Sequence, residues 1–307
     1  MIRIGLVGVG KIARDQHIPA LAADARYQLV AAASRTKPDL GVLPVFQDIE
    51  EMLAQGPALD AVALCTPPQA RRETALAALR AGKHVFLEKP PGASVGEVAE
   101  LAAVARAQGV VLFTSWHSRF AAGVAPAKAW LSTRRVREVA IEWREDVRRW
   151  HPGQTWIWEA GGLGVFDPAI NALSILTEIL PTEAFVTGAT LQVPENVQSP
   201  VAAHVDMTNL DGARITADLD FLQTGPQTWD LTAQTDDGVL KLSMGGAELT
   251  LDGQPVEVGE NHEYPGLYDR FATLIARGES EVDARPLTLV ADAFLLGTRE
   301  SVEAFVE

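Results

Sequence analysis

Apolar and polar positions alternate along this chain in two different ways, and the change falls near residue 118. Before it, short continuous apolar runs lie at 2–9, 29–33, 61–64, 84–87 and 110–113. Between them are stretches with helical spacing, chiefly 11–23, 70–81 and 94–107. A continuous apolar run marks a strand buried on both faces, and its alternation with helices predicts a parallel, doubly wound sheet. Gly82 and Gly109 fall where helix C-caps belong, since glycine enters the left-handed region without a Cβ clash.

Beyond residue 118 the runs lengthen and become extended: 136–145, 184–192, 202–209, 214–222, 229–234, 239–242 and 248–251. Asp211-Gly212, Asp237-Gly238 and Asp252-Gly253 punctuate them. Asp-Gly between extended runs signals a hairpin, because its positive-φ turn matches the twist of the flanking strands. Helical spacing at 163–180, 267–277 and 287–305 covers one face. The expectation is an α/β dinucleotide-binding domain over 1–118 and an α+β domain over 119–307. The second is built on a large, mostly antiparallel open sheet, and its final helix, 287–305, is free to pack back on the first domain. Neither repeats nor low-complexity tracts interrupt the pattern.

Composition narrows the function. With 47 % hydrophobic and 21 % charged residues, the 307-residue chain can build real cores. Twenty-six basic against 40 acidic side chains give −14, the wrong sign for a nucleic-acid or anionic-lipid surface. One cysteine, Cys65, excludes an internal disulfide and a cysteine-rich metal centre, and the six histidines lack ligand spacing. No metal is expected. Neither a leader nor an apolar run of about 18 residues stands out, so a soluble cytoplasmic protein without membrane partners is expected.

Gly8-Val9-Gly10-Lys11-Ile12-Ala13 follows the first strand and opens the first helix, fitting G-x-G-x-x-A. Gly8 permits the tight turn and Gly10 a close backbone approach to a pyrophosphate. Ala13 keeps the helix near the sheet, and Lys11 and Ile12 head a helix N-terminus with free donors. The end of the second strand reads Ser34-Arg35-Thr36. NAD sites usually carry a carboxylate there. A hydroxyl beside a guanidinium suits a 2′-phosphate instead, so NADP is expected, with NAD as the alternative cofactor and a solvated turn as the plain reading.

Cys65-Thr66-Pro67-Pro68 ends one strand, and Glu88-Lys89-Pro90 ends the next, with Ser94 opening a helix. Together with the glycine loop, these motifs resemble the Gfo/Idh/MocA oxidoreductase family along the whole chain. The resemblance implies a Rossmann domain followed by an open sheet that often makes a homodimer interface. It implies that Glu88 and Lys89 meet the cofactor, that Lys89 lies beside nicotinamide and substrate, and that Thr66 and Pro67 line the nicotinamide ribose pocket. The segment from Gly161 through Asp167 to Asn171 stands where the family has a glycine-rich Asp-x-x-x-His segment, with Asn171 replacing the histidine. With Ser34-Arg35 and Trp150-His151-Pro152, it resembles the branch that oxidises pyranoses such as L-arabinose and D-galactose at C1 to lactones.

Such a reaction removes a hydride from C1 and a proton from its hydroxyl. Burial and a cationic nicotinamide would lower the pKa of Lys89; a solvated loop lysine is the plain alternative. Asp167 and Asn171 share a helix face if their segment is helical. Asp167 would be an N-cap if the helix starts at Pro168, or interior if it starts near Gly162 and bends at Pro168. Asn171 cannot titrate near neutrality. Asp167, coupled to Lys89, is therefore expected to take the proton, with Asn171 orienting the sugar. Trp150 and Trp229 are the expected stacking faces, and Glu145, His151 and His117 the polar partners of a sugar. Trp143 and Trp130 suit core positions, and His17 is expected to pack at the first helix. The alternatives are another sugar or inositol dehydrogenase of the family, or a non-catalytic dinucleotide-binding sensor or corepressor.

Overall fold

The doubly apolar runs of the first third become strands sheltered on both faces. The computed structural model describes residues 1–307 in two compact units, one of residues 1–117 with 264–284, the other of 118–263 with 285–307. In chain order the first begins with β1 (Ile2–Val7), α1 (Ile18–Ala23), β2 (Tyr27–Ala33), β3 (Val45–Phe46) and α2 (Ile49–Gln55). It continues with β4 (Ala61–Leu64), α3 (Pro68–Arg80), β5 (His84–Leu87), α4 (Val95–Gln108) and β6 (Leu112–Thr114). All six strands are parallel, in the order β3-β2-β1-β4-β5-β6. That order reverses direction at β1/β4, the switch point where open α/β sheets bind ligands. Residues 11–23 are helical throughout, with a π turn over Ala13–His17. Ser94 caps α4 by accepting from Glu97 N at 3.2 Å, and Gly109 closes it at φ 65°.

The second unit holds α5 (Val124–Leu131), β7 (Val136–Arg144), α6 (Val147–Trp150), α7 (Phe166–Ile179), β8 (Ala184–Pro194), β9 (Ala202–Asn209) and β10 (Arg214–Asp220). It continues with β11 (Thr228–Thr235), β12 (Gly238–Ser243), β13 (Glu248–Leu251) and β14 (Gln254–Val256). After α8 (Glu263–Arg277) come α9 (Arg285–Leu296) and β15 (Gly297–Val302). The nine strands form one sheet, β14-β13-β12-β11-β7-β10-β9-β8-β15. Only β7/β10 and β8/β15 pair in parallel. The three Asp-Gly pairs turn β9 into β10, β11 into β12 and β13 into β14. On β7, Val136, Val139, Ile141 and Trp143 are buried, while Arg137, Ala140 and Glu142 are not. One sheet face is thus covered, with α5, α7 and α9 on that side, and the other is open.

Two expectations change here. The segment 287–305 is not one helix and does not join the first unit. α9 ends at Leu296. Gly297, where a Cβ would meet the Ala293 carbonyl at 2.4 Å, opens β15, which adds along the edge of β8. The segment that joins the first unit is 264–284, placed by chain order in the second domain. Its helix buries Tyr264, Leu267, Tyr268, Phe271 and Leu274, one stripe at helical spacing. Tyr268 stacks on Phe86 at 5.1 Å between ring centroids, and Phe271 lies 5.6 Å from Phe86 and 6.0 Å from Phe113. No helix is long and apolar enough to cross a membrane.

Candidate active site

The glycine loop sits at the sheet's switch point. Gly8 has φ +89°, and a Cβ there would lie 2.9 Å from Cys65 C and Thr66 N. Only glycine allows β1 to turn this close to the β4 loop. Gly10 has open space where a Cβ would stand, which leaves room for a pyrophosphate. Arg14 N to Gly10 O, 3.2 Å, is an early helical bond, so the N–H groups of Lys11 and Ile12 head the helix ahead of it. Thr66, whose backbone N borders Gly8, has its Oγ1 buried without a protein partner. An orphaned hydroxyl beside a glycine turn fits a polar ligand. Ser34 follows β2 and its hydroxyl lies 3.2 Å from that of Thr36. Arg35 and Lys37 are exposed, and residues 34–37 carry no carboxylate.

Lys89 follows β5 through a buried ionic scaffold. Glu88 is 3 % exposed, and its Oε1 receives Tyr264 Oη at 2.6 Å and lies 3.1 Å from His17 Nε2. Its Oε2 accepts the Lys89 N–H at 2.6 Å. His17 is fully buried, with Nδ1 2.7 Å from Tyr268 Oη. Burial opposes the imidazolium, but Cys65 and Glu88 outweigh it and raise His17 to about 10. Burial likewise opposes the Glu88 carboxylate, yet His17, His117 and Tyr264 hold it down at about 2. His17 therefore does pack at the first helix, as the counter-charge of Glu88. Arg71 of α3, also buried, donates to the carbonyls of Glu88, Pro90 and Thr66, so one guanidinium ties together the loops that carry Thr66-Pro67 and Lys89-Pro90. His117 belongs to this unit and stacks on Tyr264 at 5.6 Å.

The second unit gathers most of the remaining predicted residues. Glu145, 5 % exposed, follows β7. Its Oε2 accepts Trp229 Nε1–H at 2.8 Å, and its Oε1 lies 3.3 Å from His151 Nε2. His151 Nδ1 is 3.7 Å from Asp167 Oδ2. The histidine thus stands between two carboxylates. Trp150 and Trp229 pack edge to face at 5.4 Å. Asp167, 2 % exposed, is inside the first turn of α7, which starts at Phe166 with Val165 as N-cap. Its carboxylate is not a cap. Pro168 is within the same turn, where its missing N–H costs no helical bond, so no bend is required. Asn171 is one turn further on the same helix and only partly buried. The preceding glycines are steric necessities: a Cβ on Gly162 would meet the Trp156 carbonyl at 2.2 Å, and one on Gly164 the Pro200 carbonyl at 2.3 Å. Trp143 is buried as expected of a core residue, while Trp130 is half-buried under Arg134.

Sequence reasoning missed Arg71, Tyr264 and Tyr268. Arg71 reads as one of several arginines on a helix, and the tyrosines lie about 175 residues beyond Glu88. No local pattern announces such partners. The molecule has no group of three or more His, Cys, Asp or Glu side chains arranged to hold a metal ion.

A parallel sheet in this order with a glycine turn at its switch point defines a dinucleotide-binding domain, here joined to a second domain built on one large sheet. Residues 2–115 match the profile of the oxidoreductase family with an NAD-binding Rossmann fold. The chain is 47 % identical over 306 residues to a galactose 1-dehydrogenase of Pseudomonas fluorescens, covering 100 % of this chain and 99 % of that protein. The crystal structure of a D-galactose-1-dehydrogenase from Rhizobium etli, 54 % identical, superposes with a TM-score of 0.95, covering 99 % of this chain and 98 % of that one. A 3-ketoreductase from Actinomadura kijaniata solved with NADP shares the fold, with a TM-score of 0.83 at 20 % identity over 98 % of this chain and 99 % of that one. The chain belongs to the Gfo/Idh/MocA oxidoreductase family.

Proposed function

We propose that this enzyme oxidises D-galactose, and L-arabinose as a second substrate, at C1 to the lactone, with NADP as the preferred acceptor. The observation that carries the reading is the Glu145–His151–Asp167 constellation flanked by Trp150 and Trp229, in a chain similar along its whole length to a galactose 1-dehydrogenase. Aromatic faces suit the apolar C–H side of a pyranose, and buried carboxylates with a histidine suit its hydroxyls. A bound NADP would accept the C1 hydride at its nicotinamide. Gly8, Gly10, Lys11 and Ile12 would hold its pyrophosphate, Ser34 and Arg35 its 2′-phosphate, and Thr66, Pro67 and Glu88 the nicotinamide end. Asp167 takes the proton of the C1 hydroxyl, and Asn171 fixes the sugar by hydrogen bonds without titrating. Lys89, carried over from the family's Glu-Lys-Pro pattern, is the second proton-handling group. Glu145, His151 and His117 are assigned to the remaining hydroxyls. A cytoplasmic setting, and a homodimer formed over the open face of the nine-stranded sheet, belong to the same reading.

Initial rates of NADP and NAD reduction with D-galactose, L-arabinose, D-glucose, D-xylose and myo-inositol test it. The first two sugars with NADP should be fastest. Activity confined to glucose or inositol removes the branch assignment, and tight cofactor binding without turnover on any sugar leaves a sensor. Asp167→Asn keeps the shape and removes the base, so kcat should fall about 10²- to 10⁴-fold with NADP affinity unchanged. Near-wild-type turnover would reassign the proton to Lys89.

A further inference from the structure

The short segment that carries Trp150 and His151 is held from outside by residues 303–307, which the proposed chemistry does not use. Asn196 pairs with Phe305 through both ends of its side-chain amide: Nδ2 donates to Phe305 O and Oδ1 accepts Phe305 N–H, each at 2.8 Å. The arrangement copies a strand ladder and fixes the backbone of Phe305 beside the β8–β9 connection. From there three contacts reach the His151 segment. Arg148 donates to Val306 O from Nη2 at 3.0 Å and from Nε at 3.2 Å, with its guanidinium 5.3 Å from the Phe305 ring. The Glu307 carboxylate accepts the N–H of Gly153. The Phe305 ring lies 4.7 Å from that of Trp158, which meets Phe221 at 5.8 Å, and Phe221 meets His151 at 5.4 Å. His151, Gln154, Trp158, Phe305 and Glu307 border a cavity of about 10 Å³, room for one water at most.

These contacts converge on a piece of chain with little regular structure of its own. α6 is a single turn, His151 is its C-cap and Gly153 has φ +69°. Such a segment has many conformations of similar energy, and a binding residue on it is only as well placed as its outer contacts make it. We infer that residues 303–307 are a strap that sets the sugar affinity of the site, by holding His151 in the orientation that meets the sugar. Phe305 and Asn196 are thus positioning residues, and the inference rests on His151 as a sugar contact.

The loss should fall on sugar binding, because Asp167 is held by α7 and the nucleotide site by the other unit. Phe305→Ala and Asn196→Ala should each raise the sugar KM about three- to tenfold while kcat and the KM for NADP stay within about twofold. Phe305→Tyr, which keeps the ring against Trp158, should restore the wild-type KM. Hydrogen exchange of the 147–154 amides supplies a readout independent of the substrate: it should quicken in both alanine variants while exchange in β1–β6 does not change. An unchanged sugar KM alongside quickened exchange overturns the strap's role in binding, and unchanged exchange overturns the strap itself. An equal loss of kcat, NADP affinity and global stability also overturns it, since that would mark an ordinary core contact. Absence of sugar turnover in the wild type overturns the proposed function instead, and the exchange comparison then still decides whether residues 303–307 restrain the segment.

Discussion

At the scale of single residues, the site depends on charges kept where water cannot screen them. Glu88 and His17 neutralise each other inside the first unit, and breaking such a pair leaves one buried charge uncompensated. Their shifts have opposite signs and define a pH window. Glu88 is depressed to about 2, so its contribution to stability is complete above its ordinary value near 4.5 and is lost as pH falls towards 2. His17 is raised to about 10, so its contribution is complete below its ordinary value near 6.5 and is lost as pH rises towards 10. Stability from this pair is greatest between about 4.5 and 6.5. Glu88→Gln removes the anion that helps keep His17 protonated. Denaturant unfolding from pH 6 to 10 should show a shallower alkaline decline in the variant than in the wild type, and an unchanged slope would refute the pairing. The motif Glu-Lys-Pro identifies these positions in the sequence, but not the reason Glu88 stays ionised. His17 and Tyr264 supply it from far along the chain.

At the scale of elements, the turns were the most legible feature. All three Asp-Gly pairs join neighbouring antiparallel strands, and both Asp252 and Gly253 have positive φ, the geometry those residue types favour. Gly8 was legible for the same local reason, and its environment sharpens the expectation. Gly8→Ala would add strain at φ +89° and place a methyl 2.9 Å from backbone that cannot yield. It should lower stability by about 1–3 kcal/mol and weaken dinucleotide binding, as thermal unfolding and titration with NAD and NADP would show. Less legible were β3, a two-residue strand at the sheet's edge, and β15, hidden inside a helical pattern. Periodicity over so few residues cannot separate a strand from the end of a helix. The start of α7 was also undecided, because Pro168 is acceptable at any position of a first turn. Its neighbours decided it: the Val165 N–H donates to the Pro200 carbonyl and that of Asp167 to Gly164.

At the scale of the whole molecule, chain order and packing order differ. Residues 264–284 return to the first unit after the second has been built, and their aromatic stripe completes the core around Phe86 and Phe113. Phe271→Ala should therefore destabilise the nucleotide-binding unit by about 3–5 kcal/mol. Hydrogen exchange should show protection lost in β5 and β6, and loss confined to the nine-stranded sheet would contradict the assignment. By itself the sequence determined the strand–helix alternation, the glycine loop and the hairpin turns, because each depends on the chain within a few positions. Only the tertiary structure decided that His151 stands between Glu145 and Asp167, that His17 neutralises Glu88, and which unit residues 264–284 complete. Those outcomes depend on complementary shape and charge between segments tens to hundreds of residues apart. Hydrophobic spacing says that a face must be buried, and does not say against what.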